Sequence, residues 1–383
     1  MTEKLYDTDA YLSTFSAQVL SCTPWEDGYE IELDRTAFFP EGGGQYGDRG
    51  LLNGIAVSDT QMREERIFHR TSQPLPEGTQ VTGQVDFARR FRHMQHHSGE
   101  HIVSGLVHSM FGFDNVGFHL GDGEMTMDYN RELSPADLDA VEKAANRALW
   151  DNREIRCEYP SSEELRSLQY RSKKELQGAV RIVTVEGIDV CACCAPHVKR
   201  TGEIGAIVIT DALRWKGGTR ITVRCGSDAL AEYDRLRGDE KQLSALFSAP
   251  RGENAPAAER LMKEYGELRR AYGAVLKEKA LLQISLLPQE PCGIFVLSDG
   301  DLEVMRAAAN EGIARGFSLF VCLSGSTGEG YKYVISAQGG LRPKAKEINA
   351  ALGGRGGGSD TMLQGSFSAS EQEIRDYFKE FTI

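Results

Sequence analysis

No stretch of this 383-residue chain approaches 18 consecutive apolar residues, so no membrane-spanning helix is expected. Residues 1–14 carry neither the basic start nor the apolar middle of a leader peptide, and export is not expected. Cysteine is sparse, with eight in all, three of them inside 191–194 and the rest scattered. Without an export signal, thiols so placed fit a reducing cytoplasm better than a disulfide framework. Positive charge is short too. Forty-four Lys and Arg stand against fifty-six Asp and Glu, a net charge of −12 that argues against broad, sequence-blind nucleic-acid binding. Nothing repeats internally, and no low-complexity tail is present. The zinc-protease pattern is missing, because no Glu follows the first histidine of any His pair.

What remains is enough for two or three domains with their own cores, and the pattern reads as α+β and multidomain. Residues 1–87 read as a small β-barrel. Tyr29-Glu30-Ile31-Glu32-Leu33 alternates, 81–85 does so more weakly, and Gly42-Gly43-Gly44-Gln45 makes a loop of high glycine density. Residues 88–227 read as helices on a largely antiparallel sheet. One helix covers 88–111 and a second starts at Ser134 with Pro135 in its first turn. Residues 228–285 carry apolar positions Leu261, Tyr265, Leu268, Tyr272, Val275 and Leu282 at alternating spacings of four and three, interrupted by Lys279. That is a coiled-coil seam, with 229–247 as the first arm of a hairpin and 250–256 as its turn. Residues 286–383 read as a small α/β domain ending in the glycine run 353–358.

The chemistry concentrates in two places. The segment 93–101 holds His93, His96, His97 and His101, four of the eight histidines. With His97 at zero, His101 lies at about 40°, His108 at about 20° and His93 at about −40° on the helix, so these share a face. His96 falls off it. His108 is roughly 10 Å further along the axis than His101, too far to share an ion, and Glu100 is expected to be a solvated side chain. The second place is the Cys-rich loop with Cys191, Cys193, Cys194 and His197. Histidines one turn apart, joined by a cysteine and a histidine at the same spacing, suit zinc. Spacing does not choose among the three cysteines, and His93 stays a substitute ligand. Arg89, Arg90 and Arg92 lie close to the first segment. Lys199, Arg200, Arg214, Lys216, Arg220 and Arg224 follow the second.

At this point the motifs resemble those of the stand-alone alanyl-tRNA editing proteins (the AlaX family, long form) and of the editing half of alanyl-tRNA synthetase. The Gly-Gly-Gln loop within 36–50, the His-x-x-x-His of 97–101, the block from Cys193 through His197-Val198 to Gly202-Glu203-Ile204-Gly205, and the C-terminal glycine run occur in the family's order. The resemblance implies an N-terminal β-barrel, a zinc-containing editing core, a coiled-coil hairpin and a C-terminal DHHA1-like domain. It implies one zinc ion per chain on His97, His101, Cys193 and His197, acting in hydrolysis of the ester between tRNA(Ala) and a wrong serine or glycine. It assigns His119 to the amino-acid pocket. The acceptor end of the tRNA is expected at Gly43, Gly44, Gln45, Arg89, Arg92, Lys199 and Arg200, with Arg355 as a contact of the last domain.

The chain departs from the family pattern between Cys193 and His197, where Cys194-Ala195-Pro196 replaces Gly-Gly-Thr, so no role for that threonine carries over. It also lacks the Asp-His-His sequence of a phosphoesterase core. Two other readings share parts of this pattern: a zinc-stabilised tRNA-binding module without turnover, and editing of mis-charged tRNA(Thr). A homodimer and a cytoplasmic location complete the expectations.

Overall fold

The structure is a computed structural model describing residues 2–122, 125–172 and 179–381. The chain divides into two compact units, 1–239 and 240–383.

The first unit opens with a closed six-stranded barrel. Its order is Thr14–Trp25, Gly28–Leu33, Arg66–Thr71, Ile55–Arg63, Gly50–Leu52 and Gln80–Val85, which pairs back onto the first strand. Alternation decides the inside: Phe15, Ala17 and Val19 point in, with Ile31, Leu33, Val57, Val81 and Val85 from the other strands. His69 is also fully buried there, held between the Thr36 hydroxyl at 2.8 Å and the Ile31 carbonyl at 2.9 Å. Burial pushes its pKa down to about 4, against the opposing pull of that carbonyl. Folded His69 is therefore neutral where an unfolded chain already binds a proton near pH 6.5. Stability should fall as pH drops from 6.5 through 4, by about 3 kcal/mol in full. In urea titrations from pH 7 to 4.5, a His69→Gln variant should lose less stability than wild type. Equal losses would remove the assignment.

The barrel runs into the helix Phe87–Phe111, capped by the Asp86 carboxylate on the Arg89 amide and ended by Gly112 at φ 69°. This helix and Pro135–Trp150 pack with the antiparallel sheet Ile207–Trp215, Gly218–Cys225, Met125–Tyr129 and Asn115–Leu120 around one apolar core. The sequence is strand-like over 124–129, where the third of these strands lies, and residue 124 itself is outside the described residues. Two glycines set the depth of the long helix. A Cβ on Gly99 would stand 2.6 Å from the Cys225 sulfur, and one on Gly105 would stand 2.7 Å from the Ile188 carbonyl. The helix therefore lies hard against both the sheet and the strand Asp189–Ala192, which leads into the Cys-rich loop. That strand closes a three-stranded sheet with Ile155–Glu158 and Ile182–Val185.

The second unit is built on a five-stranded sheet ordered Cys292–Leu297, Leu319–Ser326, Gly330–Ala337, Met362–Phe367, Arg355–Gly358. The first pair is parallel, joined through the helix Leu302–Ala314. Alternation along 319–323 splits its two cores. Leu319, Val321 and Leu323 meet Leu341, Ile348, Ile374 and Phe378, while Phe320 and Cys322 meet Val304, Met305, Ala308 and Ile284. The glycine run is an edge strand, where a Cβ on Gly356 would strike the Tyr333 hydroxyl and the Gln364 carbonyl.

The expected coiled-coil seam is not buried in this chain. Leu261, Tyr265, Leu268, Tyr272, Val275 and Leu282 are all exposed on the helix Asn254–Ser285. That helix uses a different face, Leu276, Ala280 and Ile284, to cover its sheet. Pro256 falls inside its first turn, so the connection before it is shorter than expected.

Candidate metal centre

One turn of helix separates His97 from His101, and both turn toward the loop that carries Cys193 and His197. The four ligand atoms lie within 4.8 Å of one another, and the three imidazoles are buried. The Cys193 sulfur is 3.5 Å from His97 Nε2 and 3.4 Å from His197 Nε2. A tetrahedral zinc with Zn–S about 2.3 Å and Zn–N about 2.0 Å sets sulfur and nitrogen roughly 3.5 Å apart, close to the separations of these two pairs. His93 is buried beside the same helix face but does not join them, and His108 sits on the exposed end, 3.0 Å from Asp114. His96 is structural: its Nδ1 donates to the Arg92 carbonyl and its Nε2 accepts from the Cys225 amide.

Each imidazole is also held from behind. His97 Nδ1 lies 2.9 Å from the Gln45 side-chain oxygen, His101 Nδ1 2.9 Å from Asp189, and His197 Nδ1 3.0 Å from the Ser98 hydroxyl. With Nδ1–H donating outward, each ring leaves Nε2 as the nitrogen available to a metal once any proton there is lost. Asp189 is fixed in turn by both donors of Arg171, at 2.7 and 2.8 Å. His101, Asp189 and Cys191 also form a compact set, but Asp189 is already spent on His101 and Arg171. Burial alone would raise the Cys193 thiol. The surrounding His97, His197 and His101 outweigh burial and hold it well below its usual range. Burial lowers His101, yet hydrogen bonds to Asp189, Cys191 and Cys193 take it well above 6.5.

The Cys-rich loop is shaped by Arg181, which is buried. Its guanidinium donates to the carbonyls of Cys193 and Ala195 at 3.0 and 2.8 Å. Ala195 is fully buried among Tyr6, Phe39 and Ile67, which gives the departure at that position a packing reason.

Gly43 and Gly44 come from the barrel and reach this centre. Both have positive φ, 62° and 84°. A Cβ on Gly43 would touch the Cys194 sulfur and His97, while one on Gly44 would stand 2.7 Å from the Phe118 carbonyl. Gln45 is fully buried. His119 is exposed and rests edge-on to Tyr46, 5.4 Å between centroids. Its neighbour Phe118 meets His97 at 4.7 Å.

Arg89 and Arg92 are engaged within the chain. Arg89 pairs with Asp122 at 2.7 Å and Arg92 with Asp228 at 2.7 Å. Lys199 is largely exposed beside the Tyr11 ring, Arg200 bonds the Asn152 carbonyl, and Arg355 belongs to the second unit.

Glu100 corrects the expectation of a solvated side chain. It is 2% exposed, accepts from Ser104 at 2.9 Å and Asn115 at 2.8 Å, and has its other oxygen 3.8 Å from His101 Nε2. Its helix angle alone could have placed it beside the ligand face. Phe118, Arg181 and Asp189 had no such local signal.

Residues 180–242 match the family described as the threonyl and alanyl tRNA synthetase second additional domain. The chain is 28% identical to the alanyl-tRNA editing protein Aarsd1 of Rattus norvegicus over 385 residues, covering 94% of this chain and 93% of that one. It is 29% identical to the alanyl-tRNA editing protein AlaX-L of Pyrococcus horikoshii, covering 98% and 97%. It is 32% identical to the alanine–tRNA ligase of Pyrococcus furiosus, covering 97% of this chain and 42% of the ligase.

Proposed function

We propose that this chain, related over nearly its whole length to the long-form alanyl-tRNA editing proteins, is a trans-acting deacylase that frees wrongly attached serine or glycine from tRNA(Ala). The observation that carries the reading is the convergence of His97, His101, Cys193 and His197 with every imidazole pinned behind.

Those four residues would hold one zinc ion, which when bound supplies positive charge able to polarise an ester carbonyl. The chain's own work is to fix the ester and control access of water. Gly43 and Gly44 keep a side-chain-free wall beside His97, so that a ribose ester can approach the backbone closely. Phe118 packs against that ring, with 4.7 Å between centroids. His119, at the rim, would meet the amino acid or the terminal ribose.

Lys199 and Arg200, beside the Cys-rich loop, are the readiest partners for the acceptor-end phosphates. Arg89 and Arg92 would have to exchange Asp122 and Asp228 for them. Phosphate contacts of this kind set affinity and salt dependence rather than specificity. The second unit, as a DHHA1-like domain with Arg355 at its glycine edge, would add tRNA contacts. The exposed seam 261–282 would pair in a homodimer. No described helix is long and apolar enough to cross a membrane, and the thiol-rich centre suits the cytoplasm.

The test is release of amino acid from Ser-, Gly- and Ala-tRNA(Ala), with Ser-tRNA(Thr) as a control. Wild type should release serine or glycine from tRNA(Ala), and His97→Ala should fall to the buffer rate. A wild type no faster than buffer leaves a metal-stabilised tRNA-binding module in its place, and preference for tRNA(Thr) moves the substrate.

A further inference from the structure

Two of the three imidazoles are oriented by groups from the domain that supplies the ligands: Ser98 lies on the site helix and Asp189 on the strand before the Cys-rich loop. The third is oriented from the barrel. Gln45 is 0% exposed, and its side-chain oxygen accepts the His97 Nδ1 proton at 2.9 Å. The backbone around it leaves little freedom. Gly42 and Gln45 exchange both backbone hydrogen bonds at 3.0 Å, and the Leu120 amide donates to the Gly44 carbonyl at 2.7 Å. Gly44 has no space for a Cβ. Among the described residues, the hydrogen bond this loop makes to a ligand is the one from His97 to Gln45, so the amide is where the barrel holds the metal centre's ligand.

We propose that Gln45 is a positioning residue for the ion. Its oxygen selects the His97 tautomer and ring angle, and this makes docking of the barrel loop a condition for tight metal binding. The glycines then serve two ends, clearing space beside His97 and delivering the Gln45 acceptor to it. The Gln45 amide nitrogen is buried without a partner among the described residues, so the bond to His97 is what its side chain contributes. This rests on the metal reading of the four ligands.

The experiment measures zinc affinity of the full-length protein by chelator competition, with the cobalt-substituted absorption spectrum and unfolding of the metal-free chain alongside. Gln45→Met keeps the length and removes the acceptor; Gln45→Glu keeps the length and supplies a carboxylate, as Asp189 does for His101. Gln45→Met should weaken zinc roughly 10–100-fold and alter the cobalt bands, while Gln45→Glu returns affinity to within a few-fold of wild type. Wild-type affinity in Gln45→Met overturns the proposal. So does equal weakening in both variants, since the acceptor would then not be the cause. Failure of wild type to bind zinc would instead overturn the metal reading itself.

Discussion

Asp48→Ala is expected to destabilise the first unit by about 3–5 kcal/mol, the cost of leaving one partner of a buried ion pair uncompensated. Arg90, on the site helix, is 0% exposed, and Asp48, at the end of the barrel loop, is 1% exposed. One Asp48 oxygen accepts from Arg90 Nε at 2.8 Å, from Arg90 Nη2, and from the Phe39 amide at 2.6 Å. The guanidinium spends its remaining donors on the carbonyls of Ala10 and Ala37, at 2.9 and 2.6 Å. Without the carboxylate, Arg90 keeps its charge in a fully buried position. Adding Arg90→Met to Asp48→Ala removes the stranded charge with a side chain of similar length and should recover part of the loss. Urea unfolding of Asp48→Ala, Arg90→Met and the double variant decides this. A single variant within 1 kcal/mol of wild type would show that the pair is not the clamp described. Because the clamp sits between Phe39 and the site helix, the same variant should also loosen the Gly42–Gln45 loop and lower metal affinity.

Arg90 shows how far the sequence could be read. It stood in a cluster with Arg89 and Arg92, three basic residues that composition offers to phosphate. Its neighbours are paired at the surface, whereas Arg90 is buried by the barrel, a contact set by chain closure over some forty residues. The convergence of the four candidate ligands was legible in part because the spacing within each pair is local. A four-residue spacing on a helix puts His97 and His101 on one face whatever surrounds them, and the spacing of Cys193 and His197 repeats it. Choosing Cys193 over its neighbours came from the motif resemblance; in the fold its sulfur lies 3.5 Å from His97 Nε2 and 3.4 Å from His197 Nε2. Glu100 was misread because a charged residue next to a ligand is ordinarily solvated, and only packing against Ser104 and Asn115 shows otherwise. The seam at 261–282 is a periodic pattern in the sequence, but periodicity does not say what covers it, and here those residues are exposed. In this chain the helix turns Ala280 and Ile284 inward instead.

Asp189→Ala should have the second large effect, on both stability and the metal. It removes the acceptor for His101 Nδ1–H and strands the Arg171 guanidinium, whose Nε and Nη2 both face that carboxylate. Loss of roughly 10–100-fold in zinc affinity is expected from the missing support, with about 3 kcal/mol of destabilisation from the unpaired charge. Asp189→Asn separates the two. Its oxygen can still accept from His101 and hold the ring, but its amide nitrogen opposes the Arg171 donors, so affinity should recover more than stability does. The pH dependence gives a further check whose sign follows from His101. In the metal-free wild type burial pulls its pKa down, but hydrogen bonds to Asp189, the largest of the opposing causes, and to Cys191 and Cys193 together hold it above the usual imidazole range. An entering ion must therefore expel a proton across the neutral range, and apparent affinity climbs with pH beyond 6.5. In Asp189→Asn the charge supporting the imidazolium is gone while burial still opposes it, so the climb should end at a lower pH. Chelator competition between pH 6 and 8.5 measures both curves. Parallel curves for the two proteins would mean that Asp189 does not govern the proton on His101.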